Sequence, residues 1–254
     1  MLFRSVLKRL RLSGILATLP DRVAYAKKAK LTPQEFLELV LQDEVERRDQ
    51  VGLTTHLQKA QFEEEQTFEN FDWEAKITID KGKLRDLFSL GFLGRKEDVL
   101  FMGPAGVGKT FLASALGHSA CRANKSVLFI RADGMLRELR QSRADNSTEK
   151  VMRKLISVDL LIIDDFGLRK LNHEQSSDIY ELIIERHKRS STIITSNRTT
   201  DEWIPLFDDP LLAQSALDRL AHNGHQITIE GESYRKKQGP NAIKKSTKKG
   251  ASIN

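Results

Sequence analysis

The chain has 254 residues, 39% of them apolar and 30% charged, enough for a sizeable core, so a disulfide-stapled miniprotein is excluded. With a mean hydropathy of −0.42 and no run near the roughly 20 apolar residues that span a bilayer, a membrane-spanning helix is excluded as well. A single cysteine, Cys121, closes no internal disulfide and no cysteine cluster has zinc-ligand spacing. Because the start also lacks the uninterrupted apolar core of a secretory signal, a reducing cytoplasm is the expected compartment.

The net charge of +6 is unevenly placed. Residues 1–30 carry eight Lys or Arg against one Asp, residues 231–254 carry seven against one Glu, and the 200 residues between them are net −7. An acidic body with basic ends suits contact with a polyanion, nucleic acid first and an anionic membrane surface second; the alternative is solvated surface charge.

In chain order, Leu2, Phe3, Val6, Leu7 and Leu10 recur at helical spacing among Arg4, Lys8, Arg9 and Arg11, which predicts a basic amphipathic helix. Thr32-Pro33-Gln34-Glu35 reads as a capping box and predicts a helix from Pro33 to about Arg48. Its stripe of Phe36, Leu37, Val40, Leu41 and Val45 needs an apolar partner, which the first helix can supply. Residues 1–66 are therefore expected to form a small helical domain. Thr67-Phe68-Glu69-Asn70-Phe71-Asp72-Trp73 follows as an aromatic lead-in, either core or the border of a base pocket.

From Asp98 the pattern changes to short apolar runs separated by helical stretches, the mark of an α/β fold with a central parallel sheet flanked by helices. Strands are predicted over Val99 to Met102, Val127 to Arg131, Leu160 to Asp164, Thr192 to Thr195 and Gln226 to Ile229. Helices are predicted over Thr110 to Asn124, Gly134 to Arg143 and Gln175 to Lys188. The α/β body spans 67–235, and 236–254 forms a basic tail too poor in apolar residues to fold alone.

The run Gly103-Pro104-Ala105-Gly106-Val107-Gly108-Lys109-Thr110 fits the phosphate-binding loop and stands between a predicted strand and a predicted helix, as that motif requires. Its backbone N–H groups would wrap the polyphosphate of ATP, Lys109 would reach the outer phosphates and Thr110 would ligate Mg2+. Phe111 completes the candidate nucleotide-binding set. Asp164 and Asp165 end a wholly apolar strand, where a parallel sheet opens onto its ligand. Asp164 would hold the magnesium, whereas Asp165 would act on the attacking water or else cap the following turn. Asn197, at the end of the next strand, would contact the γ-phosphate or position water; a plain turn is the alternative. His222 and His225 flank a glycine turn without nearby cysteines and carry no metal expectation.

The phosphate loop, the Asp-Asp strand end, the Ser196-Asn197 strand end and Ser215-Ala216-Leu217-Asp218-Arg219-Leu220 together resemble the AAA+ ATPases. Within that class Leu161-Ile162-Ile163-Asp164-Asp165-Phe166-Gly167, Gly231-Glu232-Ser233-Tyr234-Arg235, Leu31-Thr32-Pro33 and the lack of a C-terminal lid domain are similar to IstB-like helpers of insertion-sequence transposases. Their relatives, the DnaC-type helicase loaders, are the nearest alternative.

This resemblance implies an ATPase that assembles as a homo-oligomer on double-stranded DNA and assists a partner transposase in DNA transposition. It makes Arg219 a finger entering the neighbouring subunit's nucleotide site, the alternative being a surface Arg paired with Asp218. Arg235 either approaches a phosphate or begins the basic tail. Arg137, Arg140 and Arg143, three apart on one predicted helix, fall where initiator-type AAA+ proteins carry a helix facing DNA, although a solvated face fits them equally. Lys8, Arg9 and Arg11 compete for the same role. Asp165 departs from the Glu most AAA+ proteins place there and puts fast turnover in doubt. Outside this group, a small-molecule P-loop kinase and a non-hydrolysing nucleotide-binding scaffold remain as rivals.

Overall fold

Thr32 and Glu35 exchange hydrogen bonds across the first turn of a long helix, Glu35 Oε2 accepting the Thr32 N–H at 2.7 Å and Thr32 Oγ1 accepting the Glu35 N–H at 3.3 Å, as the sequence predicts. The computed structural model describes residues 2–234, so Arg235 and the segment 236–254 lie outside the described residues. By its internal contacts the chain divides into two units, Met1–His56 and the part from Leu57 onward.

The first unit holds α1 (Leu2–Arg9), α2 (Ser13–Ala29) and most of α3 (Pro33–Ala60). Leu7, Ile15 and Val40 form its core, with Leu12, Leu16, Leu19 and Phe36 packed around them. The predicted apolar stripe is only partly used: Leu37, Leu41 and Val45 stay 57%, 51% and 49% exposed, while Val40 is buried. Polar groups close the remaining interface. Gly14 N donates to Glu44 Oε2 at 2.6 Å, and Arg22 makes two hydrogen bonds to Asp43. Hydrogen bonds led by Arg47 hold the Glu44 carboxyl down at about 2. Lys8, Arg9 and Arg11 are exposed.

Two boundaries differ from the sequence reading. The third helix runs on to Ala60 rather than stopping near Arg48, because the charged stretch Glu46–Gln50 contains no helix breaker. Residues 57–66, expected with the helical domain, belong to the second unit. There the Phe62 ring stacks on His118 with centroids 4.0 Å apart, and Glu63 pairs with Arg131 at 2.6 Å.

The second unit contains β1 (Ile77–Thr78), α4 (Lys81–Phe88), α5 (Gly91–Arg95), β2 (Asp98–Met102), α6 (Lys109–Arg122), β3 (Val127–Arg131) and α7 (Ala132–Ala144). It continues with α8 (Thr148–Ser157), β4 (Leu160–Phe166), α9 (His173–Arg186), β5 (Ser191–Ser196), α10 (Pro210–His222), β6 (Gly224–Thr228) and β7 (Glu230–Gly231). Five strands form one parallel sheet in the order β3-β4-β5-β2-β6, the predicted α/β architecture. The apolar runs of β2 to β5 follow from burial on both faces, whereas β6, at the sheet edge, buries only Ile227. Leu100, Leu128, Leu161, Ile163 and Ile194 join the core shared with α7 to α10, whereas Ile162, on the opposite face, meets α6 at Gly117. Among the described residues no helix is long and apolar enough to cross a membrane.

Under the sheet, Arg186 is 2% exposed and donates to the carbonyls of Leu155, Ile156, Val158 and Ser191 and to Thr192 Oγ1. Asp98 accepts the Thr192 N–H at 2.7 Å nearby. Burial pushes the Asp98 carboxyl up to about 7 and brings Arg186 down to about 10.

Candidate functional site

The loop between β2 and α6 has its glycines where another residue would not fit. Gly103 lies at φ +145°, and a Cβ there would stand 2.0 Å from the Ile229 carbonyl oxygen; Gly106 lies at φ +83°, with Ser233 Oγ at 2.2 Å from such a Cβ. These neighbours belong to a strap formed by the end of the described chain. Ile229 N donates to Met102 O, β7 pairs antiparallel with β1, and Tyr234 N donates to Gly106 O at 2.8 Å. The phosphate loop is thus clasped by residues more than a hundred positions away.

Lys109 opens α6 and is 5% exposed. Its ammonium donates to Gly103 O and Pro104 O at 2.7 Å each and to Asn197 Oδ1 at 2.6 Å. Beside it lies a cavity of about 630 Å³. One wall is Ala105, Gly106, Val107, Gly108, Lys109, Thr110 and Phe111. Facing it are Glu64, Gln66, Asn70, Phe71, Asp72, Ala75, Ile77 and Tyr234, with Asp165, Leu168 and Asn197 completing the lining. The volume suits a nucleotide-sized ligand, and the position at the carboxyl ends of parallel strands is where such sheets bind ligands.

The aromatic lead-in serves as both core and border. Phe71 is 8% exposed, packs on Phe111 at 5.5 Å and Trp73 at 4.9 Å, and still lines the cavity. Phe68 extends the cluster to Phe88 at 4.2 Å.

Asp164 is 2% exposed and accepts a 2.6 Å hydrogen bond from Thr195 Oγ1. Burial raises its carboxyl above the ordinary range, opposed by the hydrogen bonds from Thr195 and Thr110. The donor set of Thr110 hydroxyl and Asp164 carboxylate consists of hard oxygens beside the phosphate loop, which fits Mg2+ held by one carboxylate and ligand phosphates. No cluster of three or more His, Cys, Asp or Glu suited to a metal occurs among the described residues.

The remaining candidates separate. Arg219 donates to Ser215 O and Oγ at 2.7 and 2.6 Å, not to Asp218, and is not part of the cavity lining. Arg137 and Arg140 are exposed on α7, and Arg143, half-buried, forms an ion pair at 2.5 Å with Asp178, a buried carboxylate on α9. The Arg143 side chain stays about one-third exposed while it holds this partner. Arg235 lies outside the described residues. Sequence reading did not single out Thr195, Tyr234, Glu64 or Gln66. The run of hydroxyls before Asn197 hinted at the first, Tyr234 stood only within the Gly231–Arg235 motif, and nothing local marked the other two.

The comparisons follow the same lines. An insertion-sequence ATP-binding protein of Mycobacterium tuberculosis is 40% identical over 238 residues, 93% of this chain and 95% of that protein. The IS21 ATP-binding protein of Pseudomonas aeruginosa is 36% identical over 233 residues, 92% of this chain and 88% of that one. Among solved structures, the crystal structure of DnaI has a TM-score of 0.57 at 19% identity, covering 65% of this chain and 90% of that chain. Replication initiator DnaA bound to AMPPCP and single-stranded DNA has a TM-score of 0.54 at 19% identity, covering 70% and 54%. These two likenesses show the fold alone. The family model described as IstB-like ATP binding protein matches residues 5–242, and the chain belongs to that family.

Proposed function

We propose that the protein is an ATPase that assembles on double-stranded target DNA as a homo-oligomer and assists a partner transposase. The observation that carries this reading is the cavity in which a glycine loop, Lys109, Asp165 and Asn197 converge, in a chain whose family relatives are insertion-sequence ATP-binding proteins.

In this reading the backbone N–H groups of residues 105–110 and the α6 N-terminus bind the triphosphate. Lys109 exchanges its bonds to Gly103 O and Pro104 O for phosphate oxygens, and Asn197 orients the terminal phosphate. Thr110 and Asp164 hold Mg2+, which when bound neutralises charge on the phosphates. Asp165, on the cavity wall, orients the attacking water and takes its proton. Phe71 and Tyr234 border the space for the base. Arg219, apart from its own subunit's cavity, enters the neighbour's site, so that hydrolysis depends on assembly. Arg137 and Arg140, with Lys8, Arg9 and Arg11, supply salt-dependent phosphate contacts that do not read sequence.

The test is sedimentation of the protein with duplex or single-stranded DNA of equal length at fixed salt, in ATP and in ADP. Large ATP-dependent assemblies on duplex support the reading. Assembly on single strands alone would favour a helicase loader, and no nucleotide-dependent assembly on either would overturn the reading.

A further inference from the structure

Strand β4 does not run straight into the cavity. Ile163 pairs with Ile194 and Phe166 with Ser196, so Asp164 and Asp165 together stand opposite the single residue Thr195. Asp165 takes up the additional residue at φ +56°, a left-handed backbone that glycine, asparagine and aspartate adopt more readily than other residue types. Such a bulge re-aims a side chain. Here it leaves Asp164 buried and brings Asp165 to the cavity wall.

Adjacent hydroxyls on β5 hold the bulge. Thr195 Oγ1 accepts the Asp165 N–H at 2.9 Å and donates to Asp164 Oδ1 at 2.6 Å. Ser196 Oγ donates to Phe166 O at 2.7 Å and accepts from Trp203 Nε1 at 3.1 Å. Both residues are wholly buried. A hydroxyl has one proton, so giving it to Asp164 while accepting from Asp165 fixes how Thr195 is turned. One oxygen therefore sets the side chain of the first carboxylate residue and the backbone of the second.

We propose that Thr195 is a positioning residue of the ATPase, its hydroxyl holding the β4 bulge that fixes Asp164 beside the phosphate loop and turns Asp165 into the cavity. The proposal rests on the ATPase reading above. It also explains why Asp stands at position 165, since a longer Glu is less at ease in the left-handed backbone the bulge requires. Thr195→Val keeps the shape but leaves the Asp165 amide without its acceptor and Asp164 with Thr110 as its remaining hydroxyl donor; Thr195→Ser keeps both bonds.

The experiment compares the full-length wild type, Thr195→Val and Thr195→Ser. It measures ATPase kcat and KM, and titrates a fluorescent ATP analogue with Mg2+ and with EDTA. Thr195→Val is expected to lower kcat by about 10- to 100-fold, the loss of one charge-assisted hydrogen bond. The same variant weakens analogue binding in Mg2+ while binding in EDTA stays within about twofold of wild type, and Thr195→Ser restores kcat to within about threefold. Wild-type kcat and Mg2+-dependent binding in Thr195→Val would overturn the proposal. So would an equal loss of binding in EDTA that Ser does not rescue, because that is the signature of a purely structural hydroxyl. If the wild type itself does not hydrolyse ATP, the ATPase reading fails, and the titrations alone decide whether Thr195 positions Asp164.

Discussion

Lys109 and Asn197 are 88 positions apart in the chain, and the ammonium of the first donates a 2.6 Å hydrogen bond to the side-chain oxygen of the second. Parallel pairing of β2 with β5, Met102 opposite Ser196, brings the phosphate loop and the β5 end side by side. Asn197→Ala is expected to lower kcat by about 10- to 100-fold while nucleotide affinity changes by less than about fivefold, because the lost contact acts on the terminal phosphate. Steady-state ATPase rates combined with nucleotide titration check it; unchanged kcat would reduce Asn197 to a turn residue.

The Ile229 carbonyl blocks any side chain at position 103. Gly103→Ala must displace a backbone strap rather than a flexible side chain and must also hold φ at +145°. A loss of about 1–3 kcal/mol follows. It reads as a Tm lower by several degrees, together with weakened nucleotide binding. A Tm equal to wild type would show that the strap yields.

Stability is expected to depend on pH through Asp98. Its folded pKa, about 7, lies above the ordinary value of 3.8, so its contribution to stability is full below about pH 4 and is lost as pH rises through about 7. Asp98→Asn retains an acceptor for the Thr192 N–H and removes the titration. Between pH 5 and pH 8 the wild type should lose about 1–4 kcal/mol relative to this variant in urea unfolding. Parallel pH profiles would contradict the assignment. Arg186→Lys should also destabilise, since three donors cannot serve the five acceptors that the guanidinium reaches.

Arg219 is tethered to Ser215 within its own helix and lies apart from the cavity lining. Arg219→Ala should bind nucleotide normally and hydrolyse at least about 100-fold more slowly. Mixed with Asp165→Asn, which lacks the water-orienting carboxylate but keeps the arginine, it should recover part of the activity, because mixed assemblies contain some complete sites. No recovery on mixing would rule out action between subunits.

How far the sequence could be read depended on the range of the interaction involved. The spacing places Val127–Arg131 as observed and the other sheet strands to within two residues at either end, because burial on both faces gives β2 to β5 apolar runs, while β6 is marked by Ile227 and Ile229 alone. Besides α4 and α5, the elements not anticipated include the helix α8 and the short pair β1 and β7. The first lies in a charge-rich stretch, and the second is two residues long on each side and has meaning only as a pair. The last turns of α3 lie past the apolar stripe that defines the helix, across Gly52, and end on Ala60, which is fully buried in the tertiary structure.

By itself the sequence determined the strand, loop and helix around Lys109, the carboxylates at the end of β4 and the order of strands along the chain, because these rest on neighbours within a few residues and on the two-residue and 3.6-residue periods of burial. Only the tertiary structure decided that Thr195 links Asp164 to Asp165, that Ile229 to Tyr234 clasp the phosphate loop, that Arg143 pairs with Asp178 and that Glu64 and Gln66 line the cavity. Each of these joins groups tens to more than a hundred positions apart. The pairing of a buried polar group is chosen by what the fold places within about 3 Å of it, and no local pattern records that choice.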